Sequence, residues 1–249
     1  MRTLSLLALG SLALAACSGT DETTAPAASS LEGATATADS RESATHRYRV
    51  TVTNLTTGQP LSPGVVVTHT RNASLFTMGA EASDGIQQIA ESGDPTTAAA
   101  ELAGARGIHS VVATSAPVGR IGGPVFPNSL TVEIDAAAEA NYLSMSMMLI
   151  CTNDGFAGLD AARLPGGFRE AVFYARAYDA GSEVNDEIAS SIVPPCFAIG
   201  PVQGPVGGAG HTAENGVIRR HPGIQEIADL TGAHAWDGPV ARVVVRRIK

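Results

Sequence analysis

The sequence predicts an all-β protein: an antiparallel β-sandwich carrying two short helices in an insertion. Three observations predict it. From residue 46 to the end, short apolar runs with strand alternation recur, Gly, Pro and Asn punctuate them, and a single stretch changes to the helical period. About two hundred residues is a length one all-β domain can fill, and no internal repeat divides it.

The elements follow in order. "HRYRVTVTN" (46–54) alternates Tyr48, Val50 and Val52 with Arg47, Arg49 and Thr51, the period of a strand buried on one face. The turn-rich "TTGQPLSP" leads into a second strand, "GVVVTHT" (64–70). Between residues 80 and 105 the period changes. Ile86, Ile89 and Ala90 share one helical face, and Asp94 before Pro95 has the form of an N-cap followed by proline at the first helical position, so two short helices are expected there. "HSVVATS" (109–115), "SLTVEID" (129–135), "NYLSMSMMLICT" (141–152), "FREAVFYARAY" (168–178) and "GPVARVVVRRI" (238–248) read as further strands. In "MSMM", alternation sets Met145 and Met147 on one face and Met148 on the other, which suits a central strand better than a soft-metal site.

The N-terminal residues read as a leader and a tether ahead of the folded domain. "MRTLSLLALGSLALAAC" has a charged start, an apolar run and small residues before Cys17, the layout of an export signal and too short to span a membrane. "LAAC" resembles the lipobox of bacterial lipoproteins, which implies cleavage after residue 16 and acylation of Cys17. The location expected from this is the bacterial cell envelope, with the chain lipid-anchored; Ser18 after the cysteine favours the outer membrane. Residues 17–45 are small and polar and read as a flexible tether, leaving 46–249 as the folded domain. With Cys17 committed to lipid, Cys151 and Cys196 remain as an even pair in an exported chain, where disulfides persist; two buried thiols are the alternative.

Charge excludes one class of partner. Loss of residues 1–16 removes one basic residue from 16, leaving 15 against 24 acidic, a formal charge of −9 that repels phosphate backbones. Nucleic acid is therefore not an expected partner. The basic residues that do cluster, Arg242, Arg246, Arg247 and Lys249 with Arg219 and Arg220, read as a solvated edge or as a surface for an acidic glycan or lipid headgroup. The six histidines lack metal-protease spacing, no Gly-x-Ser-x-Gly elbow accompanies them, and "GPVGGAG" (204–210) lacks the Lys and Ser/Thr of a phosphate loop. The histidines read as surface or edge-of-core residues. No enzyme is expected, although a hydrolase can assemble its triad non-locally.

One segment stands out: "YDAGSEVNDE" (178–187) places four carboxylates and an amide in ten residues after a strand. Together with "YRVTVTNLTTGQPLSPGVVVTH", "LFTMGAEASDGIQQIAESGDP", "SMMLICTNDGFAGLD" and the closing "GPVARVVVRRI", it resembles the spondin N-terminal domain family in its single-domain bacterial form. The resemblance implies a sandwich akin to calcium-dependent membrane-binding modules, with one Ca2+ at an end. It carries the family's metal-binding side chains onto Asp154 of "TNDGF" and onto Asp179 and Glu183 of "YDAGSE". Glu183 departs from the animal pattern, which has Asp there. Asn153, Asn185 and Asp186 are further oxygen donors on the same loops. The function expected is a lipid-anchored binding or adhesion module, monomeric, for a glycan, matrix protein or anionic lipid. The alternative is an envelope protein in which calcium only rigidifies loops.

Overall fold

A computed structural model describes residues 44–204, 207, 208 and 210–249. The leader, Cys17 and the tether through residue 43 lie outside the described residues. Among the described residues nine strands form, in chain order: β1 (Thr45–Asn54), β2 (Leu61–His69), β3 (Ile108–Ala113), β4 (Ser129–Ala137), β5 (Tyr142–Leu149), β6 (Gly155–Arg163), β7 (Glu170–Asp179), β8 (Arg219–Arg220) and β9 (Ala241–Arg247). The helices are α1 (Asp84–Ser92), α2 (Thr96–Leu102) and α3 (Pro195–Ile199). None is long and apolar enough to cross a membrane.

Every strand pairing is antiparallel, in the order β3-β2-β5-β6-β7-β9-β1-β4, with β8 added beside β7. β7 belongs to both layers of the sandwich. Its first part, Glu170 to Ala175, pairs with β9, and its last part, Arg176 to Asp179, pairs with β6. At the far ends of the path β3 and β4 do not pair, and Thr68 Oγ1 on β2 donates to the carbonyl of Asp135 on β4 at 2.6 Å.

The alternation in β1 does what its sequence predicts. Tyr48, Val50 and Val52 enter the core between the layers, joined by Met145 and Met147 of β5 and by Val243 and Val245 of β9. Outside them, Arg47 and Arg49 pair across to Asp135 and Glu133 on β4. A second core forms where α1 covers the outer face of β2 and β6: Ile86 and Ile89 pack with Val65, Val67, Phe76, Phe156 and Tyr178. Ser83 caps α1 by accepting from the N–H of Ile86. The cap of α2 sits one residue later than its sequence predicts. Pro95 occupies the N-cap position, and Asp94 Oδ1 accepts from the N–H of Thr96 at 2.9 Å.

Sequence reading foresaw neither β6 nor the two-residue β8. "GFAGLDAAR" is poor in β-branched residues and has two glycines, which read as loop. One of them is there for close approach: a Cβ on Gly158 would stand 2.8 Å from both Phe76 Cζ and Tyr178 Cδ2. Further along, β6 bulges opposite Ser144, where Ala161 takes a φ of 46° and donates its N–H to Ser144 Oγ.

Cys151 and Cys196 are joined as a disulfide, which ties the turn after β5 to α3. Around it Ile150, Ile192, Phe197 and Leu230 form a third, smaller core.

Candidate metal centre

The centre is built where β6 starts beside the end of β7. Gly155 pairs with Asp179, so the turn from β5 into β6 and the loop leaving β7 emerge side by side. Thr152 fixes that turn: its hydroxyl donates to the carbonyl of Leu149 and accepts from the N–H of Gly155. Asp154, fully buried, is thereby aimed at the other loop. Its Oδ2 accepts from the N–H of Ser182 at 2.8 Å and of Glu183 at 3.0 Å, and also from the Ser182 hydroxyl. Its Oδ1 is buried with no hydrogen-bond partner among the described residues.

Asp179 is also fully buried. Its Oδ1 accepts from the N–H of Gly181, and its Oδ2 from Asn185 at 2.6 Å and from the Arg219 guanidinium at 3.1 Å. Gly181 is required here: its φ is +71°, and a Cβ would lie 2.5 Å from the backbone N of Val217. Arg219 is half-exposed and also grips both carboxylate oxygens of Glu214, at 2.7 and 2.9 Å.

The remaining predicted residues divide. Asn153 and Asp186 are engaged with one another, Asn153 Nδ2 donating to Asp186 Oδ1 at 2.9 Å, while Asp186 also accepts from Ile188 N–H and the Ser191 hydroxyl. They tie the two loops together. Asn185 lies against Asp179. Glu183 joins the centre through its backbone, but its carboxylate turns to His211 and Glu91.

Burial sets the electrostatics. Loss of water, and then the charge of Asp179, push the Asp154 carboxyl up from 3.8 to about 7, against the opposing hydrogen bonds from Ser182. Burial likewise raises Asp179, while Asn185 and Arg219 pull it back. Two buried carboxylates, one with a bare oxygen, share a single neighbouring guanidinium. Asp154 and Asp179 therefore fit a hard divalent cation, which prefers carboxylate and carbonyl oxygens. Asn153 and Asp186 already have partners.

Several residues of this region were not foreseen. Arg219 reads in the sequence as part of a basic edge. Glu187 is buried, and both its oxygens accept backbone N–H groups, of Gln225 and Ile227, clamping the loop before the final strand. Its neighbour Asp186 gave the same acidic signal, but nothing in the spacing separates clamp from ligand. His69 and His234 are fully buried rather than at an edge. His69 Nε2 meets the Ser144 hydroxyl at 2.8 Å, and that hydroxyl is 3.5 Å from Asp160. This is not the order of a hydrolytic triad, because the acid stands on the serine and His69 Nδ1 faces the carbonyl of Thr70.

The family model described as Spondin_N matches residues 48–190, a span that holds Asp154, Asp179 and Glu183 and ends before Arg219 and His211. No curated protein matches the chain.

Proposed function

Because the chain belongs to the spondin N-terminal domain family, whose model covers more than half of it, we propose that it is a calcium-dependent binding module held at the cell envelope by a lipid on Cys17. One observation carries the calcium reading: Asp154 Oδ1, buried without a partner beside the second buried carboxylate of Asp179. Leaving an acceptor of that kind unmatched costs about 1–3 kcal/mol, and more when it is charged. Bound calcium would supply the positive charge and oxygen coordination that these two side chains lack.

The chain's own residues prepare the place. Thr152 sets the angle of Asp154, Gly181 lets the loop turn back, and Asn185 and Arg219 orient Asp179. Glu183 contributes its backbone N–H to Asp154, while its carboxylate faces His211. Arg219 also brings a guanidinium and Glu214 to the rim, so a ligand meeting the module there would face mixed charge.

The competing reading, a purely structural ion, is favoured by the bonds that cross-link these same loops, Asn153 to Asp186 and Asp154 to Ser182. The two are separated by presenting the full chain to arrays of glycans, anionic lipids and matrix proteins in calcium and in chelator. Binding that needs calcium and is lost in Asp179→Ala supports the module. Absence of any binding in calcium leaves the structural ion.

A further inference from the structure

We propose that Glu91, Glu183 and His211 form a second metal site, for a zinc-class divalent transition ion, distinct from the Asp154 and Asp179 pair. The three side chains offer two carboxylate oxygens and one imidazole nitrogen, all within 4.8 Å of one another. Two donors on one zinc ion lie at most ~4.3 Å apart, given bonds of about 2.0–2.2 Å, so small side-chain rotations close the set. Calcium takes oxygen almost exclusively, whereas an imidazole beside carboxylates suits zinc, copper or nickel.

The donors come from three separate segments, and each is held. Glu183 and His211 sit on chains joined by backbone bonds: Val184 N–H to the carbonyl of Thr212 at 2.8 Å, and Glu214 N–H to that of Ser182 at 3.0 Å. On the other side of His211, Gly210 N–H bonds the carbonyl of Ser190 at 2.9 Å. The histidine therefore reaches Glu183 from an anchored backbone, and its Nδ1 pairs with Glu183 Oε1. Glu91 arrives on the last turn of α1.

Two features of this group point to a missing cation. Glu183 is 2 % exposed, so its carboxylate has almost no water, and its one ionic partner among the described residues is a histidine. Glu91 occupies the negative end of a helix dipole, in a last turn with no basic residue, and its carboxylate has no hydrogen-bond or ion-pair partner among the described residues. A bound dication would stabilise both. Its open positions would face a cavity lined by Gln87, Gln88, Glu91 and His211, which also gives a path of entry.

This inference does not rest on the calcium reading, and the two are tested apart. The full chain, stripped of metal, is titrated with zinc by calorimetry, and with cobalt(II) to read the visible absorption of a bound ion. One zinc per chain is expected, with affinity falling by roughly tenfold or more in His211→Ala, since even the loss of a ligand's outer partner costs about 10–100-fold. The His211 side chain is 47 % exposed, so its removal spares the core. Glu91→Gln should weaken zinc as well, and Asp154→Asn should leave it unchanged. No zinc binding, or binding indifferent to His211→Ala, overturns the proposal. So does loss of zinc in Asp154→Asn, which would place the ion in the other centre. A chain that binds zinc but not calcium would keep this site and sink the other.

Discussion

At the scale of the residue, Asp154 is where sequence and environment pull hardest against each other. Its carboxyl is raised to about 7 by burial and by Asp179, while the unfolded chain titrates near 3.8. Between those values the folded protein holds a proton that the unfolded one has lost, so without a divalent cation the fold is favoured at the acid end and loses that contribution as pH rises through 7. Asparagine imitates the protonated form: it keeps an acceptor for Ser182 and Glu183 and places an NH2 where Oδ1 has no donor. In chelator, the melting temperature of Asp154→Asn minus that of the natural chain should therefore grow between pH 5 and pH 8. His221, pulled down to about 4 chiefly by burial, gives stability that is lost as pH falls from 6.5 towards 4, an opposite trend. Both proteins share it, so it drops out of the difference. A difference flat across that range would mean that Asp154 is ionised throughout. The candidate acids at 154 and 179 were readable as candidates because a family-like motif sets each beside a strand boundary, Asp154 just before β6 and Asp179 at the end of β7. Arg219, Glu91 and His211 were not, since only folding brings residues so distant in sequence to these carboxylates.

Among the elements, legibility followed side-chain period. β1, β4 and β9 alternate cleanly and were readable; β6 was not, because glycine and alanine carry no alternation and the reason for Gly158 lies in Phe76 and Tyr178. Gly158→Ala should accordingly destabilise by about 1–3 kcal/mol, as overpacking does, with the melting temperature falling some ~3–10 °C. An unchanged melting curve would show that the two rings can yield. The disulfide is an element-scale device too. It closes 45 residues and joins the turn carrying Asp154 to the end of the acidic loop. The chain-entropy account gives about 4 kcal/mol for such a loop. Cys196→Ser should then lower the melting temperature sharply, and thiol titration of the denatured, unreduced chain should find neither Cys151 nor Cys196 reactive. Two reactive thiols from this pair would contradict the bridge.

At the scale of the whole molecule, two layers joined through β7 set one end of the sandwich aside for acidic loops, while the N-terminus is proposed to hold the chain at a membrane. Each buried methylene of an acyl chain contributes about 0.8 kcal/mol, so a multiply acylated Cys17 would anchor firmly. Cys17→Ser should move the protein from the membrane fraction to the soluble one; natural chain found soluble with no added N-terminal mass would remove the anchor from the account. The central claim, though, is the ion. The most direct measurement is a calorimetric titration of the full chain with calcium, paired with its melting curve. The account predicts one calcium per chain and, near a hundredfold excess over Kd, about 2.7 kcal/mol of added stability, roughly 5–10 °C. Asp179→Ala should abolish both and Asp186→Ala should matter much less. No heat of binding and no shift in melting at millimolar calcium would contradict it.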